Sequence, residues 1–242
     1  EAEIYLPPAY FTNPRPLLPV LVLVAGQPGQ PDDWLKGGKM PTTMDDFAAR
    51  HGGLAPVVIV ADATGTVLGN PMCMDSKLGK VATYLATDVP AWAAAHLQVD
   101  QDPTAWAIGG LSYGGTCALQ MATNFPHVYP TFLDFSGQRE PTLGDRKRSV
   151  DAAFDGDEAA FEKVNPADLL RNNKYPDSSG VFVVGESDHD FAPGQQEMFN
   201  AAQAAGMDVH FAEYRGGHSW AVWSAALRGQ IEWLARRLGL IE

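Results

Sequence analysis

The chain has 242 residues, 45% of them apolar and 19% charged, and its 24 glycines and 18 prolines stay below the low-complexity range of about 25–30%. Disordered and fibrous classes are therefore excluded, and the length suits one large globular domain spanning 1–242. The formal net charge of −12 repels phosphate backbones, so nucleic acid is not an expected partner.

In chain order, Glu1 to Tyr5 lacks a basic start followed by an apolar run, so no signal peptide is read there. Leu17 to Ala25 is the longest nearly unbroken apolar stretch; it holds Pro19 and is far shorter than the roughly 18–20 residues that cross a bilayer, so no membrane span is predicted. Within it, Val20 to Val24 reads as a strand. A helical pattern follows from Thr43 to Arg50, a strand from Val57 to Val60, and a longer helical pattern from Lys77 to Leu97. Next come a strand from Trp106 to Ile108, a helix from Tyr113 to Asn124 and a strand from Phe132 to Phe135. Gln138 to Gly180 breaks this rhythm with no strand-like run and reads as an insertion over one sheet edge, or a small cap. The pattern resumes with a strand at Val181 to Val184, a helix at Gln195 to Ala205, a strand at Val209 to Phe211 and a helix at Trp220 to Leu238. Gly206 and Gly239 stand where helix C-caps belong. Continuous apolar strands must be covered on both faces, and their alternation with helices predicts a doubly wound, mostly parallel α/β sheet.

The strongest chemical signal is Gly110-Leu111-Ser112-Tyr113-Gly114-Gly115, between a predicted strand and a predicted helix. G-x-S-x-G is a weak pattern alone. In this context it marks a tight turn that lifts a serine hydroxyl above the sheet, with a helix N-terminus aimed at the reacting centre. A Gly-rich packing turn is the plainer alternative.

A serine needs a base to take its proton and a carboxylate to orient that base. In an α/β-hydrolase the order is Ser, acid, His, with the last two in the loops after the final two strands. The loop after Val184 reads Gly185-Glu186-Ser187-Asp188-His189-Asp190, and the loop after the last strand reads Arg215-Gly216-Gly217-His218-Ser219-Trp220. His218 is the expected base, one of six histidines whose ordinary role would be structural. Asp188 is the expected acid, with Asp190 and Glu186 as alternatives. The cluster of Glu186, Asp188, His189 and Asp190 is wholly local with no distant partner, so no metal and no organic cofactor is expected. Oxyanion donors would be the backbone N–H of Tyr113 and one from Ala25-Gly26-Gln27-Pro28-Gly29. Gln27 is the choice there because Pro28 has no N–H. That segment lacks the G-K-[ST] ending of a phosphate loop and would otherwise be a plain turn. Trp220 and Trp223 are candidate pocket residues, although aromatics at i and i+3 more often bury against a core.

These residues resemble the α/β-hydrolase branch that holds esterase D, feruloyl esterases and the secreted mycolyltransferases. The resemblance runs from Val20 to the end. It rests on the elbow, the helix Tyr84 to Trp92, the Gly185-x-x-Asp188 turn, and Gly217-His218-Ser219-Trp220-Ala221-Val222-Trp223. It implies Ser112, Asp188 and His218 as a triad, Gln27 and Tyr113 as oxyanion amides, and a small-molecule or lipid ester as substrate. The mycolyltransferases differ in carrying Asp-Gly-Leu-Arg at the first oxyanion loop and Glu as the acid, which favours hydrolysis here over acyl transfer to a sugar alcohol. A non-catalytic binding module on the same fold is a further alternative.

The family's first strand is expected to be missing or cut short, which would put a signal or anchor upstream and the protein outside the cytoplasm. Cys73 and Cys117 are too few for a disulfide scaffold or a zinc site. By the resemblance they pair if the protein is exported, and are otherwise buried thiols.

Overall fold

Uninterrupted Val, Leu and Ile make the central strands, because β-branched and apolar side chains suit a pleated surface buried on both faces. The computed structural model describes residues 2–242, and Glu1 lies outside the described residues. In chain order the first elements are β1 (Ala2–Tyr5), β2 (Val20–Val24), α1 (Asp33–Lys36), α2 (Met40–Arg50), β3 (Val57–Ala61) and a two-stranded hairpin of β4 (Asp75–Ser76) and β5 (Gly79–Lys80). Then come α3 (Val81–Thr83), a π-turn (Tyr84–Asp88), α4 (Val89–His96), β6 (Trp106–Leu111), α5 (Tyr113–Asn124) and β7 (Thr131–Phe135). The remainder is α6 (Arg146–Phe154), α7 (Glu158–Glu162), α8 (Pro166–Asn172), β8 (Ser179–Gly185), α9 (Ala192–Ala204), β9 (Asp208–Tyr214) and α10 (Trp220–Arg237).

Seven strands form one sheet in the order β1-β3-β2-β6-β7-β8-β9, parallel throughout except for β1. Period-two alternation splits each strand between two cores. Val20, Val22 and Val24 join Ile108, Cys117, Leu119, Phe182 and Met198 on the face covered by α5, α8 and α9. Leu21 and Leu23 face the other way, onto Phe47 of α2 and Leu227 and Ile231 of α10. Each fully buried aliphatic side chain contributes about 1.5–3 kcal/mol, so register slippage by one residue would lose both cores together.

All six predicted strands are present, and the predicted class is the observed one. Two helix starts are corrected, and one further strand is added. One strand that the sequence did not signal, Ala2–Tyr5, pairs antiparallel with β3 at the sheet edge, and being mostly exposed it carries no continuous apolar run to reveal it. The helix expected from Lys77 begins at Val81. Lys77 and Leu78 turn the β4–β5 hairpin, and the Asp75 carboxylate accepts from the backbone N–H of Thr83 at 3.0 Å. The helix expected from Thr43 starts at Met40, with a proline in its first turn where a missing N–H costs nothing. The segment 138–180 holds three helices. A small core of Met72, Met74, Val150, Ala153 and Phe161 ties α6 and α7 to the 72–74 loop, and Arg146 knits in α8 through Asp168 as well as binding Glu140 and Glu158. Among the described residues no helix is long and apolar enough to cross a membrane.

Candidate active site

β6 ends at Leu111 and α5 begins at Tyr113, so one residue, Ser112, makes the whole reversal, with φ 53° and ψ −116°. A non-glycine backbone there is strained, and surrounding structure must over-determine it. Two glycines permit the turn. A Cβ at Gly110 would sit 2.6 Å from the Val24 carbonyl oxygen and strike the Gly114 backbone; one at Gly114 would sit 2.6 Å from the Ala25 carbonyl oxygen and strike that of Val24. The serine N–H donates to the Phe135 carbonyl at 2.8 Å, and its side chain makes no capping bond to its own helix.

The loops after β8 and β9 are laced together. Glu186 N donates to Tyr214 O at 2.9 Å and Ser187 N to Gly216 O at 2.8 Å, an approach so close that a Cβ on Gly185 would lie 2.5 Å from the Gly216 oxygen. This brings His218 Nδ1 to 2.8 Å from Asp188 Oδ2. The Asp188 side chain is 3% exposed and that of His218 29% exposed. A carboxylate on Nδ1 fixes the imidazole with its proton on that nitrogen and leaves Nε2 as the base. Glu186 and Asp190 are exposed, and the hydrogen bond to His218 comes from neither of them.

The imidazole is held on two further sides. Phe191 stacks on it at 3.9 Å between ring centres, and Trp223 meets it edge-on at 4.8 Å. Trp223 is buried, and its indole N–H donates to Ser136 Oγ at 3.2 Å. Trp220 packs edge-on against Trp34 at 5.4 Å, and the Trp34 indole N–H donates to Val24 O at 3.0 Å, bracing the strand end that leads into Gln27. Trp220 is half-buried and Trp223 buried.

Gly26 abuts the elbow, since a Cβ there would lie 3.6 Å from Ser112 Cβ. The next residue, Gln27, is half-buried, and its side-chain amide donates to the Leu68 carbonyl at 3.1 Å. Tyr113 opens α5, where a backbone N–H has no intrahelical acceptor. Its buried phenol donates to Ala63 O at 2.9 Å and accepts from Cys73 N at 3.0 Å; burial raises its pKa, so it remains a neutral hydroxyl. Cys73 and Cys117 are joined by a disulfide that anchors the 62–74 segment to α5, with Cα atoms 5.4 Å apart. Among the described residues no group of three or more His, Cys, Asp or Glu is arranged to hold a metal.

Phe191 and Ser136 were not singled out in the sequence. Phe191 stands three residues beyond Asp188, an apolar residue closing an acidic loop just before α9 begins at Ala192. Nothing marks Ser136, whose role arises from a positive φ of 51° at the end of β7.

A parallel sheet carrying a strained serine elbow and an Asp–His pair at the C-terminal ends of its strands defines an α/β-hydrolase. The family described as "Putative esterase" matches residues 1–234, and the chain belongs to that family. An uncharacterized protein of Corynebacterium glutamicum is 48% identical over 246 residues, covering 99% of this chain and 58% of that protein. The fold is similar to a ferulic acid esterase (TM-score 0.80, 20% identity, 98% of this chain and 91% of the other). It is equally similar to an S-formylglutathione hydrolase from Agrobacterium tumefaciens (TM-score 0.80, 18% identity, 98% and 90%). The chain spans at most about 58% of the length of the curated relatives it matches.

Proposed function

We propose that this chain is a serine carboxylic-ester hydrolase acting through an acyl-enzyme, with Ser112 as nucleophile, His218 as base and Asp188 as orienting acid. The observation that carries the reading is the 2.8 Å bond between His218 Nδ1 and the buried Asp188 carboxylate, in a chain whose serine occupies a strained strand-to-helix turn. Ser112 Oγ attacks the ester carbonyl as its proton passes to His218 Nε2. The tetrahedral oxyanion takes hydrogen bonds from the backbone N–H groups of Gln27 and Tyr113, each such donor being worth about 10²–10³ in kcat. His218 then returns the proton to the departing alcohol oxygen, leaving an ester on Ser112. Water, deprotonated by the same nitrogen, resolves that ester to free acid and serine.

A fluorophosphonate probe tests the reading. Labelling is expected at Ser112 and absent from Ser112→Ala; folded wild type that takes no label at Ser112 would overturn it and favour a binding module. Hydrolysis is separated from acyl transfer by the product of a simple aryl ester with and without a sugar alcohol. Free acid is expected in both, and diversion of the acyl group to the sugar would mark a transferase.

A further inference from the structure

Among the described residues, Asp134 on β7 is the one fully buried carboxylate outside the Asp–His pair whose surroundings hold no cation. Its Oδ1 accepts from Gly137 N at 2.9 Å and from Gln195 Nε2 at 3.0 Å, whereas Oδ2 has no partner. Gln195 is equally buried and gives its second amide hydrogen to Gly137 O at 3.0 Å, which leaves Gln195 Oε1 without a donor. The groups facing Asp134 are Gly110 from β6, Phe182 from β8, Gly115 from α5 and Gln195 from α9, and none titrates. An ionised carboxylate with one oxygen unpaired in such a place is costly. A single proton on Oδ2 turns that oxygen into a donor beside an amide that lacks one.

The turn below this pair connects both halves of the site. Phe135 O receives the Ser112 N–H at 2.8 Å, Ser136 Oγ receives the Trp223 indole that backs His218, and Gln138 N donates to Thr116 Oγ1 at 2.8 Å. We propose that Asp134 is a positioning residue held as the neutral acid, its Oδ2–H paired with Gln195 Oε1, and that this acid–amide pair keeps the 135–138 turn in the conformation that aligns Ser112 with His218. The proposal rests on the esterase reading only for its effect on turnover. Loss of the proton as pH rises leaves two acceptors in that pair and loosens the turn.

The test joins a substrate-free measurement to a kinetic one. Infrared spectra of the folded protein across pH are expected to hold a protonated-carboxyl band that disappears as pH rises and is missing from Asp134→Asn. In parallel, wild-type kcat/KM is expected to fall on the alkaline side with the same midpoint, while Asp134→Asn, permanently uncharged, loses that fall. Should Asp134→Asn not fold, Gln195→Met replaces it, and the band's midpoint is expected to shift. No protonated band in wild type, an alkaline limb shared by wild type and Asp134→Asn, or a midpoint unmoved in Gln195→Met would overturn the proposal. Failure of the esterase reading would show instead as absent fluorophosphonate labelling with the infrared band intact.

Discussion

His218 Nδ1 meets Asp188 Oδ2 at 2.8 Å, while Glu186 and Asp190, two residues to either side, point into solvent. The alternation follows from the turn: Asp188 N donates back to Gly185 O at 2.9 Å, which rolls the side chain of Asp188 inward and those of its neighbours out.

Asp188→Asn is accordingly expected to lower kcat by about 10⁴ through loss of the correct imidazole tautomer. Glu186→Ala and Asp190→Ala should stay within about threefold of wild type, a loss near 0.6 kcal/mol in the barrier. Steady-state kinetics on one aryl ester decides the matter, and a collapse in Asp190→Ala with activity kept in Asp188→Asn would reverse the assignment.

At Gln27 the backbone N–H, not the side chain, is the proposed oxyanion donor. Gln27→Ala removes only an amide bonded to Leu68 O at a partly exposed site, so kcat should change by less than about tenfold, the equivalent of one modest hydrogen bond. A fall of about 10² or more would show that the side chain reaches the reacting oxygen.

The bridge between Cys73 and Cys117 closes a separation of 44 residues, for which chain entropy gives about 4 kcal/mol of stabilisation. The Cys73→Ala/Cys117→Ala double variant should unfold at correspondingly lower denaturant. Its 62–74 segment should lose amide-exchange protection before the central strands do. Equal protection throughout would mean that Tyr113 and Gln120, which also bind that segment, suffice to hold it.

Stability should also depend on pH through Asp134, whose carboxyl burial pushes up to about 7 from 3.8, opposed by the bonds from Gln195 and Gly137. The folded chain then binds a proton that the unfolded chain has released, so the contribution is full below about pH 4 and is lost as pH rises towards 7. Chemical denaturation of wild type and Asp134→Asn between pH 4 and 8 checks the sign: the advantage of wild type should shrink with rising pH. A gap that widens would mean a carboxylate stabilised by the fold.

Much of this molecule was legible because its signals are local. The six strands β2, β3, β6, β7, β8 and β9 announce themselves by short apolar or β-branched runs, continuous in β2, β3 and β8, and the elbow by two glycines whose absent Cβ atoms admit the carbonyls of Val24 and Ala25. The edge strand Ala2–Tyr5 was hidden since an exposed edge needs no apolar run, and the start of α3 because its capping carboxylate, Asp75, sits eight residues before Thr83. The acid stayed one of three in the sequence, as only the fold decides which of Glu186, Asp188 and Asp190 turns inward. Ser136 left no trace, and Phe191 and Asp134 only a faint one, an apolar residue in an acidic loop and a carboxylate in an apolar strand, because their roles come from elements far apart in the chain.

The place of each strand in the sheet sets an order of failure. Ser112 hangs from β6, flanked by β2 and β7, whereas His218 hangs from β9, which has a neighbour on one side only. A strand at the rim can fray without the interior yielding. Under gentle heating or low denaturant the base therefore drifts from the nucleophile while the elbow keeps its strained shape, so turnover should fade before the protein as a whole comes apart, and return on cooling without refolding.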